Sequence, residues 1–171
     1  MKNIFYAVVL VLTFSSCQKE AKIGFVDNGT LINDYQEKKD VETKFQAKED
    51  LLRKKADSIG QAFQLEVQQA QLTAQKSSQA KAQEIMGGLQ QKQQQLQQLM
   101  QFEQQQLQQS FQTEIDSVIS RVKSFVKDYG KKNQYTYILG TSDAAATVMY
   151  GTEDKDLTKT VLEALNASYK K

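Results

Sequence analysis

The chain has 171 residues, with 22 Lys and Arg against 20 Asp and Glu, no histidine, no proline and a single cysteine. Without histidine it lacks the side chain that exchanges protons near neutral pH and the commonest metal ligand, and one cysteine forms no internal disulfide. The near-neutral balance gives no strong electrostatic grip on nucleic acid.

Residues 1–16 read as an export signal: Lys2, an apolar run from Ile4 to Phe14, then Ser15 and Ser16. The apolar core is too short to span a membrane. Small residues directly before Cys17 resemble the lipobox of bacterial lipoproteins, in which the cysteine thiol is acylated and the cysteine becomes the mature N-terminus. Phe14 stands where that motif usually has leucine, and an ordinary cleaved signal is the other reading. Cys17 is thus the expected lipidation site, and residues 17–21 the tether. Loss of Lys2 with the signal leaves 21 basic and 20 acidic side chains.

Ile23 to Asp27 has the apolar character of a strand, with Ile23, Phe25 and Val26 as its packing residues. From Glu37 to Asp57 the charges alternate in sign, as on a solvated helix face laced with local ion pairs. Nine apolar residues then recur at intervals of eleven: Val41, Leu52, Phe63, Ala74, Ile85, Leu96, Leu107, Val118 and Tyr129. Eleven residues make three turns at ~3.67 per turn, the period of a long helix with a continuous apolar stripe. Phe45, Ala56, Val67, Met100, Phe111 and Val122 widen it. Glutamine fills 22 of the 52 positions from Gln61 to Gln112, which suits an uncharged, solvated helix surface.

Gly87 and Gly88 interrupt this stretch. Two adjacent glycines cost roughly 2 kcal/mol in a helix interior relative to alanine, and they permit turn geometry. A reversal there predicts an antiparallel hairpin over residues 36–129, with its tip near 87–88, arms ~70 Å long and Ala74 level with Leu99 or Met100. One continuous helix is the alternative, because the eleven-residue phase runs straight through the glycines.

After the helical stretch, Tyr135–Gly140 (with Tyr137 and Leu139) and Ala146–Gly151 (with Val148) read as two strands joined by a Thr141-Ser142-Asp143 turn. A last helix begins at Asp156 or Thr158 and shows Leu157, Val161 and Leu165 at four-residue spacing. Residues 22–35 and 130–171 then form a small β/α body. A core of that size gains by sharing its sheet and apolar faces with other copies. The expected class is α+β, a long helical hairpin projecting from a small strand body with a C-terminal helix.

The order of elements resembles the Skp (OmpH) family of periplasmic chaperones: a first strand Ile23-Gly24-Phe25-Val26-Asp27, a long interrupted helical arm, the Tyr137-Ile138-Leu139 strand, and Asp156-Leu157-Thr158 leading into a helix that ends at Leu165-Asn166. The resemblance implies a homotrimer in which strands and C-terminal helices join into a body, while hairpin arms surround a cavity. It implies that unfolded outer-membrane β-barrel proteins are held there without ATP, in the periplasm of a Gram-negative envelope. The lipobox adds an anchor in the inner or outer membrane. Familiar members are strongly basic; this chain is near neutral, so its clients would be held by exposed apolar side chains and glutamine amides. The competing reading is an envelope lipoprotein whose coiled coil acts as a spacer, tether or scaffold for a folded partner.

An enzyme is hard to assemble from these residues. The paired carboxylates lie on charge-alternating helix, and no cluster has metal-ligand spacing beyond what helix faces give by chance. Gly24 and Gly29-Thr30 have the outer spacing of a phosphate loop but lack its lysine. No cofactor, metal or catalytic residue is therefore expected.

Overall fold

A computed structural model describes residues 20–142 and 145–169. Strand β1 (Ile23–Asp27) leads directly into a short helix α1 (Asn28–Asn33), whose first turn is capped by the Asp27 carboxylate accepting from the Thr30 amide. Two long helices follow, α2 (Gln36–Gln75) and α3 (Gln79–Lys132), then strand β2 (Tyr137–Thr141), a 3-10 turn (Glu153–Lys155) and helix α4 (Thr158–Ser168). β1 and β2 pair in parallel, with Ile23 opposite Tyr137 and Asp27 opposite Thr141. Parallel neighbours need a crossover between them, and here the crossover is the entire helical hairpin.

The hairpin turns at Lys76-Ser77-Ser78, not at the glycines. Ser78 is extended and caps α3 by accepting from the Lys81 amide, the role for which serine is favoured. Gly87 and Gly88 lie within α3, where an added Cβ on either would meet nothing within 4 Å. Their cost is borne by the helix around them, anchored by half-buried Ile85 and buried Leu89. Register explains why they do not turn. With the tip at 76–78, Glu37 meets Arg121 at 2.6 Å, Lys44 meets Glu114 at 2.7 Å, Lys55 meets Glu103 at 2.5 Å, and Glu66 meets Lys92. A tip at 87–88 would bring Lys44 level with Lys131, and Lys54 level with Arg121. Met100 accordingly lies beside Ala56, along one groove, and not beside Ala74. Replacing both glycines with alanine should add roughly 2 kcal/mol of local helix stability and slow amide exchange around Leu89 by tens-fold; unchanged exchange would mean that the glycines cost the helix nothing.

All nine positions of the eleven-residue stripe are buried or half-buried, so the stripe is the seam between α2 and α3. Near the root, Phe45 and Phe111 meet edge to face at 5.2 Å between centroids. The four cross-arm ion pairs recur at intervals of seven and eleven residues on both helices. They are partly exposed, and each contributes about 0–1 kcal/mol. Their sign pattern does more than their strength. A slip of one repeat faces Lys55 with Lys92 in one direction, and Glu66 with Glu103 in the other.

The core lies where the hairpin root meets the body. Val26, Leu31, Tyr35, Val41, Phe45, Val118, Val122, Leu157, Val161 and Leu165 form one buried cluster. The division into a body of residues 22–35 and 130–171 and an arm of 36–129 is therefore too sharp, because the arm roots supply Val41, Phe45, Val118 and Val122. Leu157, Val161, Leu165 and Val26 are buried within the single chain, which corrects their reading as a face shared between copies. Gly24 is needed for close approach: a Cβ there would lie 2.5 Å from Leu157 Cδ1.

Ala146–Gly151 is not a strand in this chain. Ser142 and Ala145 form an isolated bridge, and the following residues are irregular, with Met149 and Tyr150 almost fully exposed. β1 is already occupied on its other side, since Phe25 bridges to Asp156 and its carbonyl accepts from the Leu157 amide at 2.8 Å. α4 begins at Thr158, and the Asp156 carboxylate accepts from both the Thr158 amide and hydroxyl.

Candidate functional site

The hairpin presents two kinds of surface. Its seam consumes the stripe residues, while other large apolar side chains stay exposed: Leu51, Leu65 and Leu72 on α2, and Met86, Leu99 and Phe102 on α3. Leu51 and Leu65 are each more than three-fifths exposed although they sit on a well-formed helix. Around Leu65, Leu72, Leu99 and Phe102 glutamine is the commonest residue, and its amides donate and accept without carrying charge, whereas Leu51 lies among Glu49, Asp50, Arg53 and Lys54. Near the root a groove of about 660 Å³ opens between the helices, floored by Phe45, Leu52, Ala56, Met100, Leu107 and Phe111 and rimmed by Gln46, Gln104 and Gln108 together with the charged Glu42, Glu49 and Arg53. Such a surface offers many separate apolar contact points along the length of the arm.

Two titratable groups, Tyr35 and Asp154, are displaced from their ordinary range, each by structural neighbours. The Tyr35 hydroxyl is pushed well above its ordinary range, first by burial in the core and then by donating to the Glu37 carboxylate at 2.8 Å. Glu37 in turn pairs with Arg121, so this cluster ties the arm roots together. Asp154 is lowered by the Thr152 and Lys155 side chains on an exposed turn. Among the described residues, no buried side-chain polar atom lacks a partner, and no group of three or more His, Cys, Asp or Glu side chains is placed to hold a metal ion.

The residues expected to form the body divide into two sets. Val26, Leu157, Val161 and Leu165 are internal, whereas Ile23, Tyr137 and Leu139 remain exposed along the two-stranded sheet, with Phe25 and Val148 half-buried. Met149 and Tyr150 extend this exposed apolar set and were not singled out by sequence reasoning. Their only signal was membership of a segment that reads as a strand. Cys17 lies outside the described residues. Gly87 and Gly88 belong to the middle of α3, and the tip falls to Ser77 and Ser78, whose capping preference was the overlooked signal.

Known proteins share this arrangement. The structure is similar to that of a Caulobacter crescentus CB15 protein described as an OmpH-like outer membrane chaperone, with a TM-score of 0.75 over 88% of this chain and 86% of that one, at 15% identity. Among curated proteins, none matches the sequence significantly. The family described as Outer membrane protein (OmpH-like) matches by its sequence model over residues 22–165, from the residue before β1 to the heart of α4. That span takes in every element positioned above except the last turn of α4, and the chain belongs to the OmpH-like outer membrane protein family.

Proposed function

We propose that this protein is an ATP-independent holdase of the periplasm that binds unfolded outer-membrane β-barrel proteins between the arms of a homotrimer and keeps them from aggregating. The observation that carries the reading is the row of large apolar side chains left exposed on the hairpin, outside its own seam. A barrel precursor exposes alternating apolar residues and aggregates in water. A holdase lowers the free concentration of that chain by binding it weakly at many points. Contacts made inside one enclosure reinforce each other through effective concentration, and each can release separately. No hydrolysis step is needed.

Family membership and the fold shared with the Caulobacter crescentus protein support the chaperone reading. The exposed Ile23, Tyr137, Leu139, Met149 and Tyr150 support assembly, since a small body leaves them in water when alone. Three arms around a shared body give the enclosure. Acylated Cys17 would tether it to the membrane.

The test is light scattering from a urea-unfolded outer-membrane barrel protein diluted with and without the chain, at low and high salt. Suppression without nucleotide is expected, with weak salt dependence, because apolar and amide contacts are not screened as charge pairs are. No suppression at several-fold molar excess of trimer would overturn the holdase reading and favour a spacer or scaffold.

A further inference from the structure

We propose that the C-terminal end of α3 is a membrane-facing surface that binds the anionic headgroups of a phospholipid bilayer. Charge in this chain is balanced overall but not locally. Residues 119–134 hold Arg121, Lys123, Lys127, Lys131 and Lys132 against the single acid Asp128. Arg121 is committed to Glu37, but the four lysines are exposed and, among the described residues, make no ion pair. Lys123, Lys127 and Lys131 follow one another at four-residue spacing within α3, so they form a continuous basic stripe about 12 Å long at 1.5 Å per residue. Lysines in the last turn of a helix complement its dipole, which accounts for Lys131 and Lys132. Lys123 and Lys127 lie beyond the reach of that effect.

The position of the stripe selects its partner. Lys22 donates to the Asn133 carbonyl at the C-terminus of α3 and lies over the Tyr135 ring at 4.1 Å, so the chain enters the fold at the end of the stripe. Cys17 precedes Lys22 by five residues, a span of at most ~18 Å when fully extended. A bilayer holding an acylated Cys17 is therefore within reach of these lysines, and an anionic surface supplies the counter-charge that the fold does not. The stripe and the anchor would act as two signals on one surface. The arms, whose basic residues are interspersed with acidic ones of nearly equal number, would then be directed away from the lipid. The inference extends the tethered-holdase reading.

Every described element lies between Ile23 and Ser168, so a chain beginning at Gln18 keeps the whole fold and carries no acyl group. This chain should float with vesicles of phosphatidylethanolamine and phosphatidylglycerol at low salt and stay behind with phosphatidylcholine alone. Each lysine close to an anionic surface raises partition about fivefold, so Lys123→Gln, Lys127→Gln and Lys131→Gln together should lower it on the order of a hundredfold. Lys54→Gln, Lys76→Gln and Lys81→Gln, the same change of net charge placed on the arm, should have little effect. Equal flotation of the two triple variants, equal flotation with neutral vesicles, or retention only on lipopolysaccharide would overturn the proposal. The mass of the processed N-terminus reads acylation of Cys17 separately, and light scattering without vesicles reads the holdase separately, so failure of either is told apart from failure of the stripe.

Discussion

Replacing Val161 with aspartate is expected to unfold the root of this protein, with loss of the cooperative thermal transition seen by circular dichroism. Val161 has no accessible surface and sits in the cluster that joins β1, α1, α4 and both arm roots. An unpaired carboxylate there loses its hydration with no charge or donor to replace it, at a cost of several kcal/mol. Domains of this kind have only about 5–15 kcal/mol in hand. Leu139→Asp is the instructive contrast, because Leu139 is exposed on β2. That chain should keep its cooperative transition, lowered only by the stabilisation that assembly contributes, yet sediment as a monomer if the exposed strand residues are shared between copies. A native-like melt for Val161→Asp would show that α4 does not belong to the core. A Leu139→Asp protein that still sediments as a trimer would place the shared surface elsewhere.

The same residues show how much of this fold was legible in the sequence. The seam was readable because a helix imposes its period locally: from Val41 to Tyr129 every eleventh residue turns inward. The four-residue spacing of Leu157, Val161 and Leu165 likewise marks an apolar face. What covers that face is a tertiary fact, and the cover proves to be the chain's own β1, α1 and arm roots. The hairpin tip was misplaced because a glycine pair is a local signal of about 2 kcal/mol, whereas register is decided over the whole arm. Two helices that bring Glu37, Lys44, Lys55 and Glu66 against Arg121, Glu114, Glu103 and Lys92 override it. Ala146–Gly151 has strand propensity, but propensity names no pairing partner, and the described residues offer it none. The parallel pairing of Ile23–Asp27 with Tyr137–Thr141 joins segments more than a hundred residues apart, a relation no local pattern carries. For the candidate site, the glutamine-rich neutral arm was evident, but which apolar residues stay outside the seam depends on the tip, and so waited for the structure.

Changing Leu51, Leu65, Leu72 and Phe102 to glutamine should abolish holdase activity at equimolar trimer while leaving the assembly folded. All four are largely exposed and lie outside the seam, so the substitutions remove little packing. Surface changes of this kind usually move stability by no more than about 0.5 kcal/mol each, and glutamine is a good helix former. Binding responds differently. A large apolar side chain covered by a client gains roughly 1.5–3 kcal/mol when fully buried, and less in a loose contact. Even about 1 kcal/mol per site, repeated four times on each of three arms, exceeds what a weakly held client can lose. Because such contacts reinforce one another within the enclosure, their removal should lower affinity by several orders of magnitude, and not in proportion to the number removed. Light scattering of the diluted barrel protein reads the effect, with sedimentation confirming that the variant stays assembled. Suppression that persists in an assembled variant would mean that clients are held elsewhere, either in the groove floored by Phe45, Leu52 and Phe111 or by charge. Salt dependence separates these two, since raising salt weakens binding by charge, that of the rim residues Glu42, Glu49 and Arg53 included, and leaves contacts with the apolar floor of the groove in place.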